Sequence, residues 1–253
     1  MQTVKVRNLT IGEGNPKIIV PIVGTTKEEI ITEARTFDAI PLDMVEWRVD
    51  WFENAFDFIK VKEVLVELRE VLGEIPILYT FRTAKEGGEK PVDAEEYANI
   101  ILDAASSGLV DLVDVEIFTG DEIVRKIIDG VHEHGVKVVA SNHDFHKTPD
   151  KDDIVARLCK MQEMGADIPK IAVMPACKRD VLTLLAATEE MYTDHADRPI
   201  ITMSMSGTGV LSRICGEVFG SAMTFGAAKK ASAPGQMGVH DLATVLDLLH
   251  KSM

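Results

Sequence analysis

A lysine inside an apolar strand is costly unless it is paired or functional, and Lys170 stands in such a run, IPKIAVMP. It admits two readings. The stem can snorkel to solvent or pair with a carboxylate. Alternatively, burial and nearby cations keep the amine uncharged enough to attack a carbonyl at neutral pH. Arg48, Arg82 and His143 in neighbouring runs favour the second. His143, in SNHDFHKT, suits a general acid/base one strand away from such an amine. With His146 it could begin a metal site, but no third ligand accompanies the pair, so no metal is expected. Arg213 follows the turn SGTG, and a guanidinium is shaped for two-point capture of a carboxylate. The turn itself could instead cradle a phosphate. The stretch KKASAPGQMG reads as a mobile lid, with Ser232 and Gln236 supplying hydrogen bonds when it closes.

These residues need a scaffold that brings them together. Eight short apolar runs recur along the chain: Ile18–Val23, Met44–Val49, Ile77–Arg82, Leu112–Ile117, Val136–Asn142, Pro169–Met174, Ile200–Met205 and Ala222–Gly226. Each has the length and character of a buried parallel strand. Helical stretches lie between them. Thr26 and Glu29 form a capping box before Ile30 and Ile31. Val61, Val64, Leu65, Leu68 and Leu72 make an apolar helical stripe. Asp121 is expected to cap a helix burying Ile123, Val124, Ile127 and Ile128 that stops at His134-Gly135. Strand–helix alternation repeated eight times predicts a (β/α)₈ TIM barrel spanning residues 1–253 as one catalytic domain. An open doubly wound sheet is disfavoured, because no GxGxxG follows the first strand. Residues Val4 to Lys17, with weak alternation around Gly12–Gly14, are expected to form a hairpin closing the barrel bottom.

In such barrels chemistry gathers at the C-terminal ends of the strands. The ends here carry Glu46 and Arg48, then Arg82, Asp114 and Glu116, His143, Lys170, Met203 and Met205, and Phe225. Period-two alternation puts Glu46 with Arg48, and Met203 with Met205, on common faces. The pattern as a whole points to an imine-forming lysine acting on a small anionic ketone.

The 253 residues carry a formal net charge of −14, which argues against nucleic-acid and anionic-membrane partners. The three cysteines, Cys159, Cys177 and Cys215, are widely spaced and indicate reduced thiols. MQTVKVRNLT lacks the regions of a signal peptide, and no apolar run approaches the ~18 residues that span a bilayer. A cytoplasmic location is expected.

Several motifs together resemble one family. They are EWRVD around Glu46 and Arg48, TFRTAKEGG around Arg82 and Glu86, SNHDFHKTP around His143, GADIPKIAVMP around Lys170, GVLSR around Arg213, and FGAAKKASAPGQ around Phe225, Ser232 and Gln236. The chain resembles, essentially end to end, the type I 3-dehydroquinate dehydratases, hydro-lyases of the shikimate pathway of aromatic amino acid biosynthesis. The resemblance implies that Lys170 condenses with the C3 ketone of 3-dehydroquinate. It implies that His143 assists imine formation and moves the C2 proton to the departing C1 hydroxyl, giving 3-dehydroshikimate by syn elimination. Glu86 would orient His143 and Arg213 would grip the carboxylate. Glu46, Arg48 and Arg82 would bind ring hydroxyls, while Met203, Met205 and Phe225 would form apolar walls. Ser232 and Gln236 would close the lid. The resemblance also implies a homodimer with no cofactor. Two other readings compete: a class I aldolase-type Schiff-base lyase on another hydroxy-ketone, and a barrel that only binds a small acid. Motif identity disfavours the first, and retention of both Lys170 and His143 disfavours the second.

Overall fold

The computed structural model describes residues 2–228 and 232–253. The chain opens with an antiparallel hairpin, β1 (Val4–Val6) and β2 (Leu9–Ile11). Then follow β3 (Lys17–Ile22), α1 (Lys27–Ala34), β4 (Met44–Arg48), α2 (Phe58–Leu72), β5 (Ile77–Thr80), α3 (Ala94–Ser106), β6 (Leu112–Glu116) and α4 (Asp121–Glu133). The second half runs β7 (Lys137–Asp144), α5 (Lys151–Glu163), β8 (Ile168–Val173), α6 (Lys178–Glu190), β9 (Ile201–Ser204), α7 (Val210–Ile214), α8 (Gly216–Phe219), β10 (Met223–Ala227), β11 (Met237–Gly238) and α9 (Val239–His250). Parallel pairing runs in the order β10-β3-β4-β5-β6-β7-β8-β9, with β11 added beyond β10. The ring closes between β9 and β10 through the bridge Ile200–Ser221 and the Ala222 N–H donating to the Ile200 carbonyl at 2.8 Å. The result is the predicted (β/α)₈ barrel. No helix among the described residues is long and apolar enough to cross a membrane.

Period-two alternation sorts each strand into two cores. Outward residues such as Val20, Trp47, Tyr79, Val113, Val138, Ile171 and Val173 pack under the helices. Inward residues Ile19, Met44, Leu78, Leu112, Val139, Ile168, Ile201 and Met223 fill the lower barrel, where Val4, Val6 and Ile11 of the hairpin join them. The hairpin therefore plugs the bottom, as expected. Its turn, however, falls at Arg7-Asn8 instead of around Gly12–Gly14. Arg7 accepts φ 51° there, and its Nε is held by Asp111 Oδ1 at 2.5 Å. A tertiary ion pair thus overrides the local glycine signal.

The capping box of Thr26 and Glu29 and the buried stripe of α2 form as the sequence predicts. Asp121 does not cap α4. Gly120 occupies the cap position, and Asp121 sits in the first turn, where its charge still complements the helix dipole. Gly135 follows that helix at φ 72°, the conformation that stops it.

Candidate active site

Beyond the apolar layer, the next inward positions turn polar. They are Glu46 on β4, Thr80 on β5, Asp114 on β6, Ser141 on β7 and Lys170 on β8, with Met203 on β9 and Phe225 on β10. One step higher stand Arg48, Arg82, Glu116, His143, Ala172 and Met205. The same alternation that builds the apolar floor therefore delivers the charged groups to the mouth of the barrel.

One cavity is lined by Glu46, Arg48, Arg82, Glu86, His143, Lys170, Met203, Met205, Phe225, Ser232 and Gln236. Every site residue predicted from the sequence is among them except Arg213, which sits directly behind. Gly87, Phe145, Ala172 and Ala233 complete the wall.

Lys170 is 3% exposed. Its Nζ donates to Asp114 Oδ2 at 3.1 Å, lies 4.0 Å from Glu46 Oε1, and stands 4.7 Å over the ring centre of Phe225. Cations were expected to surround this amine, but its immediate charged neighbours are carboxylates. The arginines are engaged elsewhere. Arg48 makes a two-point pair with Asp50, both bonds 2.8 Å. Arg82 donates to Glu116 Oε1 at 2.8 Å and to Ser141 Oγ at 3.1 Å, and forms an ion pair with Asp114 Oδ1 at 2.8 Å. Burial works against the Arg82 charge, but Asp114, Glu116 and Glu86 outweigh it and hold its pKa above the ordinary arginine value. Asp114 is likewise buried, yet Arg82 and Lys170 keep its carboxyl below the usual range and therefore ionised.

His143 stands at the C-terminal end of β7, as expected, although the strand runs on to Asp144, past the apolar run that ends at Asn142. Glu86 lies in a short 3₁₀ turn after β5 and reaches across to it. A single oxygen, Glu86 Oε2, accepts from the His143 backbone N–H at 2.8 Å and meets Nδ1 at 3.0 Å. With Nδ1–H donating to this carboxylate, the ring presents Nε2 as a base. Burial, then Arg82, Lys170 and Arg48, push the His143 pKa well down, so its imidazole is neutral. Burial, then Glu116, raise the Glu86 carboxyl to about 7, against Arg82 and a hydrogen bond from Asn142.

Arg213, on the five-residue α7, is 1% exposed and has no carboxylate partner among the described residues. Its guanidinium donates to the Pro234 carbonyl at 3.0 Å and lies 3.6 Å from the Met203 sulfur, while its buried Nε has no acceptor. Burial alone lowers its pKa to about 10. A buried cation with an orphaned donor is a ready anion site.

The SGTG turn does not line the cavity, so it is not placed to cradle a phosphate there. It braces the loop above: Ser206, at φ 59°, donates its N–H to the Pro234 carbonyl at 3.1 Å. In that loop the Ser232 N–H donates to Gln236 Oε1 at 2.9 Å, and Gln236 Nε2 donates to Ser232 Oγ at 3.0 Å. Ser232 and Gln236 thus bond to each other at the edge of the cavity they line. Lys229, Lys230 and Ala231 of the same loop lie outside the described residues.

Sequence reasoning assigned no role to Asp114, Glu116 or Ser141. The signal was present in LVDVE, where two acids two apart on a buried strand must share the inward face. No three His, Cys, Asp or Glu side chains converge as a metal site among the described residues.

Comparison with known proteins places the chain. It is 58% identical over 250 residues to a 3-dehydroquinate dehydratase of Clostridioides difficile, covering 99% of this chain and 98% of that one. It is 56% identical to one of Salmonella typhimurium over the full length of both. A solved type I 3-dehydroquinate dehydratase from Clostridium difficile superposes with a TM-score of 0.97 at 57% identity, covering 100% of this chain and 99% of that one. The family model described as type I 3-dehydroquinase matches residues 18–253, and the chain belongs to that family.

Proposed function

We propose that this protein dehydrates 3-dehydroquinate to 3-dehydroshikimate through an imine on Lys170, the whole chain acting as one catalytic domain. The observation that carries the reading is a buried amine, a neutral carboxylate-bound imidazole and an unpaired buried guanidinium gathered at one barrel mouth. The named relatives are 3-dehydroquinate dehydratases, and the Clostridium difficile structure holds a covalently modified comenic acid.

Arg213 fixes the substrate carboxylate. The Lys170 amine adds to the C3 carbonyl, and loss of water leaves a protonated imine, an electron sink that makes a C2 proton acidic. His143 Nε2 removes that proton and hands it to the C1 hydroxyl as it leaves as water, while Glu86 holds the ring and offsets its transient charge; a water then hydrolyses the imine, freeing the product ketone and the Lys170 amine. Arg48, Arg82 and Glu46 meet the ring hydroxyls with donors and acceptors already oriented by Asp50, Glu116 and Thr80. Met203, Met205 and Phe225 keep water from the imine. Ser232 and Gln236 hold the lid closed above it. No cofactor enters this scheme.

We place the enzyme in the cytoplasm, in keeping with its free cysteines. We also take it to be a homodimer. Leu182, Leu211 and Val218, exposed on α6, α7 and α8, offer a second copy an apolar contact.

The test is an ultraviolet assay for the conjugated product from 3-dehydroquinate, without added metal. Borohydride with substrate should leave a mass adduct on Lys170. Lys170→Ala should abolish turnover while retaining part of the binding; near-normal turnover, or an adduct on another lysine, rules out the imine assignment.

A further inference from the structure

Asp114 has no part in the scheme above, yet it is the residue in closest charged contact with the reacting nitrogen. It is fully buried in the middle of β6. One oxygen, Oδ2, receives Lys170 Nζ at 3.1 Å. The other, Oδ1, receives Ser141 Oγ at 2.6 Å and the Arg82 guanidinium at 2.8 Å. Its carboxylate is therefore fixed from β7, β8 and the segment that follows β5, and cannot turn away from the amine.

We infer that Asp114 is the counter-ion of the imine, holding its nitrogen protonated and setting which way the C=N plane faces. The inference rests on the lysine-imine reading. An ammonium has three N–H groups and can satisfy several acceptors at once. When Nζ adds to the ketone and water departs, the nitrogen keeps one N–H and one positive charge. That single N–H must choose an acceptor. Asp114 Oδ2 is already at hydrogen-bond distance, whereas Glu46 at 4.0 Å is not and is engaged by Thr80 Oγ1 at 2.9 Å. With N–H aimed at β6, the substituted carbon is directed away from β6, and the Phe225 ring lies against the nitrogen. The plane of the C=N bond is thereby fixed relative to His143, which stands one inward position above Ser141 on β7.

The charged groups around this nitrogen come from every side. Glu46 and Arg48 line its cavity from β4, Arg82 and Glu86 from beyond β5 and His143 from β7, while Asp114 and Glu116 lie on the inward face of β6 and Arg213 of α7 stands behind Met203. Asp114 is the carboxylate in hydrogen-bond contact with it, and Arg82 and then Lys170 hold Asp114 ionised against its burial. Loss of the carboxylate must therefore ease loss of the imine proton and move that ionisation to lower pH.

The experiment compares Asp114→Asn with the parent enzyme and with Glu46→Gln, after melting curves establish that each is folded. Borohydride trapping comes first, because failure of the parent to trap on Lys170 removes the imine reading itself and is seen separately. Given trapping, Asp114→Asn should still label Lys170, lose roughly 100-fold in kcat, and bring the alkaline limb of kcat to lower pH, with KM changed far less. Asp114→Asn with parental kcat and pH profile overturns the inference, as does a shifted alkaline limb in Glu46→Gln alone. Should Asp114→Asn fail to fold, infrared spectra of the parent's accumulated imine decide. A C=N stretch that moves between H₂O and D₂O carries a nitrogen-bound proton and supports the inference; one that does not move overturns it.

Discussion

Arg213 shows how a single side chain can be prepared for a ligand. It is buried with no counter-charge among the described residues, so the molecule bears the cost of an unpaired cation, a cost that the proposed substrate carboxylate would offset. Arg213→Ala should therefore act on affinity: a charge-assisted bond of about 1.5–3 kcal/mol predicts a KM raised roughly 10- to 100-fold with kcat changed little. Steady-state kinetics on 3-dehydroquinate checks this. Glu86 yields a different prediction, in pH. As pH falls through about 7 its carboxyl takes up a proton, and the His143 Nδ1–H loses its anionic acceptor. Activity should fall with it on the acid side. His143 itself, already neutral, contributes no limb there. In Glu86→Gln that acid limb should vanish from the kcat/KM profile and the plateau should drop roughly 100-fold. At this scale the sequence was legible where charge interrupts an apolar run, as at Lys170, Glu46 and Arg48. It was not legible for partners: which arginine faces which carboxylate depends on strand neighbours far apart in the chain, and Arg82, 32 residues before Asp114, gives no local hint of their 2.8 Å contact.

At the level of elements, the loop bearing Ser232 and Gln236 is pinned at Gly235. There φ is 79°, and an added Cβ would overlap the Ser206 carbonyl. Gly235→Ala should therefore prevent seating of the lid. Left-handed backbone in alanine costs about 1–2 kcal/mol before any clash, so kcat/KM should fall roughly tenfold or more while the melting temperature holds. A parental kcat/KM would show that seating of this loop is not needed for turnover. The predicted strands match the observed ones to within a residue or two, because apolar period-two runs specify them directly. The hairpin turn was misplaced because Arg7 accepts an unfavourable backbone angle in exchange for an ion pair with Asp111, a partner no local pattern reveals.

The whole ring depends on its seam. Most neighbouring strands share extended ladders, whereas β9 and β10 meet at one bridge, with Ser221 Oγ accepting the Thr202 N–H at 3.0 Å. Ser221→Ala would leave that buried donor unpaired, at a cost of about 1–3 kcal/mol. The melting temperature should drop by about 2–4 °C for each kcal/mol, with kcat preserved because the site lies above the seam. Thermal scans alongside assays test both halves of the prediction. The eightfold alternation disclosed the barrel, but the thin seam was hidden: β9 and β10 follow one another in the chain, and how little ladder they share is set by their placement in three dimensions, not by their composition.

One contact described above links uptake to departure. In the proposed reaction the Arg213 guanidinium would face the substrate carboxylate, and it already donates to the Pro234 carbonyl of the loop bearing Ser232 and Gln236. Anchor and latch are thus the same group, so whatever loosens the anion's grip also slackens the loop. On that proposal, exit of the spent acid and unbarring of the doorway would be a single event.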